Sequence, residues 1–585
     1  MFTNCFLQLQ FIKKINYKTM IKKIKISIAL MLPFMAGISQ AQSFIPIPDT
    51  LSGSSINLTM ADSNYQFYSG FNTNTIGYNG AYLGPTIILN KGQNVTMNVN
   101  NMLMDTTTTH WHGLHVAPMN DGSPHNLIMA GNTWSPTFTI MDNAATYWYH
   151  PHLHGKTMDQ VLKGAAGLII VRDPAEATLN LPRTYGVDDF PLVLQWKTFN
   201  TTNKQIVMDD ELDNATMVNG TISGQLNVPA QMVRFRVLNG SSHRYFYFAM
   251  NDNRNFKIIG GDESLLNAPV TVNKLVIGPG ERFEVIIDFN GQTGNTYFLK
   301  QLGTQLPAGY PGGPPDAMGM GTLGPLDNSD FNLLQFNVTA PTINPVTTIP
   351  ATLITNVVTP TTGAGIRTFN MQGSPMMSMT NFTINGVQYN HNIINFYTKQ
   401  DSVMIWSLTN QSMMPHPWHI HGNYFYITSI NGSTPPAHLQ GRKDVVTVAP
   451  QGGTVQLVMK FEDFNDATMP YMYHCHILSH EDNGMMGQFI VNPLATGLND
   501  VNNDLNSAVY PNPTYNGWTI EGTSNENLLT ISLTNSIGQV ILVKAINLDA
   551  GKFNFNIPSN ELATGLYFLT INSESQNQTI KLIKK

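Results

Sequence analysis

Apolar and polar residues alternate with a period of two in strand-length runs along the chain, and one version of the pattern occurs three times. An Asn-Gly pair is followed, after an intervening stretch, by an alternating run ending at asparagine. The copies are Asn79-Gly80 with Val95 to Asn100, Asn219-Gly220 with Val233 to Asn239, and Asn385-Gly386 with Val403 to Asn410. Asn-Gly suits a tight turn because both residues tolerate positive φ, and the alternation places one face of a strand against a core. Repetition at spacings of 140 and 166 residues predicts three tandem copies of one β domain. Turn signals and Pro-rich stretches put the copies at residues 44–175, 176–345 and 346–495. The polar run at 496–508 reads as a linker, and 509–585 as a smaller β-sandwich module with its own strands.

Composition agrees with an all-β chain of several domains. At 585 residues it is too long for one core. Only 12% of residues are charged, while 47 Gly and 34 Pro favour short strands and many turns over long helices. A net charge of -6 without a long basic run gives no support for nucleic-acid binding. Lys22, Lys23 and Lys25 precede the apolar stretch Ile26 to Ile38, and Ser39-Gln40-Ala41 supplies a cleavage site, so residues 1–41 read as a signal peptide. Because that signal fits behind Met20, residues 1–19 are either an over-long start or an extended leading region. The apolar stretch is short for a membrane span, and no later segment reaches the roughly 18 apolar residues required. A chain secreted or held at the cell surface without a transmembrane anchor is therefore expected, with the periplasm as the alternative.

Cys5 is lost with the signal, which leaves Cys475 alone in an exported chain and marks it for metal ligation or reactivity. Its neighbours decide between the two. Ten of the sixteen histidines fall in four clusters: HWH at His110 to His112, HPH at His150 to His152, HPWHIH at His416 to His421, and HCHILSHEDNGM at His474 to Met485. Alternate strand residues share a face, so each His-x-His pair presents two imidazoles to one side. In His474-Cys475-His476 the thiol would point away from both imidazoles, and one tripeptide would touch two metal centres. Cys475, His480 and a third histidine, with Met485 as a weak axial group, make the donor set of a blue copper site.

These four segments, present and in order over about residues 44–493, resemble the multicopper oxidases, both the laccases and the bacterial copper-efflux cuprous oxidases. The resemblance implies three cupredoxin-like Greek-key β-sandwiches and four copper ions. It implies type 1 copper at His416, Cys475, His480 and Met485, and type 2 copper at His110 and His419. The type 3 pair would then be held by His112, His150, His152, His421, His474 and His476. Electrons from a small reductant would pass through Cys475 to a cluster that reduces dioxygen to water, with Asp121 and Glu481 supplying protons. The domain at 176–345 holds no copper ligand and reads as a spacer. YPNP at Tyr510 to Pro513, GLYFL at Gly565 to Leu569 and the terminal KLIKK resemble a type 9 secretion system sorting domain, which implies export machinery as a partner.

The reductant is less sharply defined. Met371, Met376, Met377, Met379, Met413, Met414, Met318 and Met320 could serve Cu(I) as soft ligands or pack as flexible apolar filler. The Met/His-rich insert of the cuprous oxidases is reduced here to Ser374 to Met379, and their acidic residue before the type 1 histidine appears as Ser412. A laccase-like preference for phenols or aromatic amines is therefore expected, with cuprous oxidation in copper detoxification as the alternative. A copper-binding electron-transfer protein without oxidase activity ranks lower still.

Overall fold

The computed structural model describes residues 43–208, 212–316, 324–373, 382–493, 506–524, 526, 528–548, 551–573 and 577–585. The signal segment, the linker stretch 496–505 and Met318, Met320, Met376, Met377 and Met379 lie outside them. Strands dominate, as the alternation and the turn-rich composition predict, and no described helix is long and apolar enough to cross a membrane.

The three Asn-Gly turns fold alike. Asn79, Asn219 and Asn385 all adopt positive φ, at 56°, 49° and 55°. In each copy the Asn side chain accepts a backbone N–H from an earlier strand of that copy, at Thr59, Val193 and Asn370, and donates back to a carbonyl of the same strand. The strands Asn94–Asn101, Met232–Asn239 and Val403–Asn410 follow. Their terminal asparagines repeat a second bond, accepting the amide two residues on at Leu103, Ser241 and Ser412. In the first copy that residue is Asn101, one position beyond the expected Asn100, because the NN pair at 100–101 hides which of the two turns inward.

Each copy pairs its repeated strand in parallel with an earlier one: Ser55–Tyr68 with Asn94–Asn101, Asp189–Lys197 with Met232–Asn239, and Gly365–Gln372 with Val403–Asn410. The opposing sheet of each copy has its own parallel pair, whereas most other pairings are antiparallel, as in a Greek key. Three separate cores fill the sandwiches, around Ile56, Val99 and Ile169, around Leu192, Phe235 and Phe283, and around Trp406, Trp418 and Phe489. Ile45, near the start of the described chain, packs into the second of these cores.

Residues 495–585 form a separate unit. A three-stranded sheet, Asn506–Tyr510, Gly517–Thr523 and Lys552–Pro558, and a four-stranded sheet enclose a core around Trp518, Ile531 and Leu569. GLYFL opens the strand Gly565–Asn572, and KLIKK closes the last one, Asn577–Lys584.

A candidate copper centre between the first and third sandwiches

Two pairs of adjacent strands carry the histidine clusters. His110–His112 lies against Ala145–His150, with His110 opposite His150, and His416–Ile420 lies against Tyr471–Cys475, with His419 opposite His474. Alternation then sorts the side chains. Trp111 enters the first core while His110 and His112 leave it, and Cys475 and Trp418 enter the third core while His419 and His474 leave it. The departing imidazoles of both sandwiches meet in one buried cluster, in which every histidine is at most 1% exposed.

Second partners set the tautomer of these rings. Nδ1–H of His110 donates to Asp121 O at 2.8 Å, that of His419 to Asp444 O at 2.9 Å, and that of His150 to Pro151 O at 2.8 Å. A carbonyl can only accept, so each Nε2 keeps its lone pair. The same holds for His421, whose Nδ1 lies 2.8 Å from Asp121 Oδ2, and for His474, whose Nδ1 lies 3.0 Å from Cys475 O. His112 is reversed, with Nε2 3.2 Å from Asp444 Oδ1 and Nδ1 turned toward His150 Nε2 at 3.4 Å.

The lone pairs converge. Nε2 atoms of His152, His421 and His474 lie 3.1 Å from one another, in three contacts that neutral imidazoles cannot satisfy by hydrogen bonding alone. His112, His150 and His476 form a second group, and His110 and His419 face the first through His421. Nε2 of His110 and of His419, and both ring nitrogens of His476, have no hydrogen-bond partner in the protein. Burial holds His476 neutral by pushing its pKa down to about 3, with the neighbouring His474 adding to the effect. Buried, lone-pair-forward imidazoles around a common point are the donor set that copper favours, so the residues fit the metal.

On the other side of the tripeptide, Cys475 Sγ lies 3.3 Å from His416 Nδ1 and 3.7 Å from His480 Nδ1, and those two nitrogens are 3.2 Å apart. Burial pushes His416 down to about 3 and the Cys475 thiol upward. Met485 is fully buried in the same core; its carbonyl accepts the Cys475 amide and its amide donates to His480 O. His480 sits in the helix Leu478–Asp482, with its ring stacked 3.9 Å from Phe382. The structure therefore brings Cys475 to one donor group while His474 and His476 reach two others.

Asp121 and Glu481 are both fully buried against this cluster. Asp121 bridges His421 at 2.8 Å and His110 at 3.4 Å. Glu481 bridges His474 at 3.1 Å and His152 at 3.4 Å. Burial alone would raise the Glu481 carboxyl; the facing imidazoles outweigh it and hold it well below the usual carboxylate range. The histidines outside the motifs stay outside the cluster: His125 and His391 stack on each other, His154 packs on Tyr389, His115 reaches Asp463, His243 reaches Asp213, and His438 packs near Phe283.

Two participants carried no motif. Asp444 touches His112 and His419, and Arg282 of the second sandwich grips both its oxygens, at 2.6 and 2.5 Å. The expectation of a mere spacer at 176–345 understates that sandwich. It also presses Gly280 so close that a Cβ there would stand 2.9 Å from the His476 ring. Gly113 has positive φ, and a Cβ on it would meet Asp444 Oδ2 at 2.5 Å.

Tandem β-sandwiches with a buried cysteine beside an imidazole cluster define a copper redox protein. Multicopper oxidase family models match residues 59–176, 189–309 and 361–495, and a secretion system C-terminal sorting domain model matches 508–585. The chain belongs to the multicopper oxidase family. It is 32% identical over 435 residues to the multicopper oxidase mco of Staphylococcus haemolyticus, covering 73% of this chain and 86% of that one. It is also 30% identical over 480 residues to the cell division protein FtsP of Escherichia coli, covering 79% and 95%. A solved laccase-like CueO from an Ochrobactrum species, with oxidase activity towards lignin model compounds, superposes with a TM-score of 0.68 at 34% identity. That comparison spans 76% of this chain and all of the other.

Proposed function

We propose that the chain is an exported oxidase of laccase-like scope, in which phenols or aromatic amines give up single electrons and dioxygen becomes water. His416, Cys475, His480 and Met485 would hold the type 1 copper, His110 and His419 the type 2, and His112, His150, His152, His421, His474 and His476 the type 3 pair. Four bound copper ions supply one-electron redox chemistry and together hold the four electrons that dioxygen requires. The alternation of His474, Cys475 and His476 carries this reading, because it gives a covalent path between the two halves of the site. The same donor set favours an oxidase over a bare electron carrier, and over a reading drawn from the FtsP likeness.

Asp121 and Glu481 would hold and pass protons. Each faces two imidazole Nδ1 atoms, one with each oxygen, and Asp121 Oδ1 makes no hydrogen bond. Asp121→Asn should keep the full copper content and slow turnover by about 10²-fold, the usual cost of removing a positioned proton donor. Unchanged kcat would end this assignment.

Ser412 favours organic donors over Cu(I). Its Oγ lies 2.6 Å from His416 Nε2, on the ring edge turned away from Cys475, and also reaches Asn410 Oδ1 at 2.7 Å. That edge therefore meets a neutral hydroxyl, where a carboxylate would attract a cation. In steady-state oxygen uptake, Ser412→Asp should raise kcat/KM for Cu(I) relative to a phenol by about tenfold, equivalent to roughly 1.4 kcal/mol. A wild type that already prefers Cu(I) at low concentration would reverse the substrate assignment. Export is supported by the sorting-domain match at 508–585.

A further inference from the structure

In the strand Ser55–Tyr68, residues 55–60 pair with Asn94–Asn101, whereas the stretch after Met60 pairs only with Phe71–Tyr78 and stands clear of the sheet. Tyr65, Phe67 and Tyr68 lie at the end of this arm. Strict alternation would send Tyr68 to the opposite face from Phe67, but a bulge between Tyr65 and Tyr68 breaks it. Phe67 and Tyr68 consequently both pack on Phe199 of the second sandwich, with ring centres 5.1 and 5.3 Å away.

These rings wall a cavity of about 380 Å³, bounded elsewhere by Thr221 to Ser223 of the second sandwich and by Phe44 of the leading arm. Tyr65 and Thr221 share a hydrogen bond that braces it across the two sandwiches. Phe44 is 57% exposed, yet its backbone is held, since Ile45 N–H donates to Gln225 O and Gln225 N–H to Ser43 O, both at 2.9 Å. An aromatic already held in place loses little freedom when a ligand docks on it.

The lining selects the ligand. Among the described residues no charged side chain lines this cavity, so nothing in it would recognise a phosphate, a carboxylate or a cation. Its polar groups are neutral: the Gln66 amide and the hydroxyls of Ser43, Thr221 and Ser223, with Ser43, Gln66 and Ser223 exposed. Lys204 Nζ lies 5.0 Å from the Tyr68 ring centre but is not part of the lining. A second cavity of about 350 Å³ shares Pro46 and Tyr65 with the first and continues it past Tyr82 and Asn219, with Asp49 its only charge among the described residues.

Aromatic walls edged with neutral hydroxyl and amide groups, repeated along two adjoining cavities, match a sugar chain. Each pyranose ring offers C–H groups to an aromatic face and hydroxyls to a polar rim. We propose that this groove binds a neutral oligosaccharide, with sugar rings against Phe44 and Tyr68 and hydroxyls bonded to Gln66 and Ser223. The site holds the chain to a polysaccharide, takes no part in electron transfer, and stands whether or not the copper assignments do.

Isothermal titration of the copper-loaded full chain with cellohexaose, maltohexaose and mannohexaose tests this directly. The expected result is saturable binding of at least one of them, weakened by about tenfold in Phe44→Ala and in Tyr68→Ala. Copper content and oxygen uptake with a soluble phenol should match the wild type in both variants. No saturable binding of any of the three sugars overturns the proposal, and so does wild-type affinity in both variants. Equal affinity for the anionic chain polygalacturonate also overturns it, because a lining without charge cannot favour that ligand. The wild type and Phe44→Ala, altered only on the exposed arm, decide even if Tyr68→Ala fails to fold.

Discussion

Serine in place of Cys475 should remove the intense thiolate-to-copper visible absorption and drop phenol-driven oxygen uptake to background, while the histidine cluster on the other side of the strand keeps its metal. Sγ is the atom that faces His416 Nδ1 at 3.3 Å, and the backbone of the same residue leads directly to His474 and His476. A hydroxyl is a poor soft ligand, so the first group loses its metal and the link to the cluster is cut at one point. Cys475 is wholly buried in the third core. A destabilised fold would therefore be the competing cause, and Cys475→Ala, which buries no polar atom, separates the two. Both variants should melt near the wild-type temperature and both should be colourless. A coloured serine variant would mean that the thiolate is not a ligand.

Arg282→Met should destabilise the assembled chain by roughly 3 to 5 kcal/mol, the cost of stripping the partner from a buried charge. Arg282 and Asp444 are both fully buried. The guanidinium also donates to Thr146 O of the first sandwich at 2.9 Å and to Asp262 O of its own at 3.0 Å, so one side chain joins all three. Without it, Asp444 faces His112 and the like-charged Asp262 uncompensated. The expected outcome is a lowered thermal midpoint together with reduced copper retention by the histidine cluster. Arg282→Lys should not restore either, because an ammonium cannot span both Asp444 oxygens as the planar fork does. An unchanged midpoint in Arg282→Met would show that the second sandwich does not hold the site together.

What the sequence disclosed depends on how far a contact is fixed by covalent neighbours. On a strand, adjacent residues must point opposite ways, so the opposed directions of Cys475 and His474 could be read without any tertiary knowledge. The turn asparagines were legible for a similar local reason, since only a few residues accept positive φ. Asp444 and Arg282 were not, because burial of a charged residue leaves no periodic mark, and their contact joins two sandwiches 162 residues apart in the chain. Ser412 was noticed as a departure from a family pattern, but only the fold shows its hydroxyl against His416 Nε2.

Copper content, measured side by side with the visible spectrum on wild-type protein and Cys475→Ser, tests the central claim most directly. The wild type should hold about four copper ions per chain with an intense visible band, and the variant about three without it. Clearly fewer ions in an intact wild type, or an equal loss of metal from both halves of the site in the variant, would contradict the two-sided arrangement around His474-Cys475-His476.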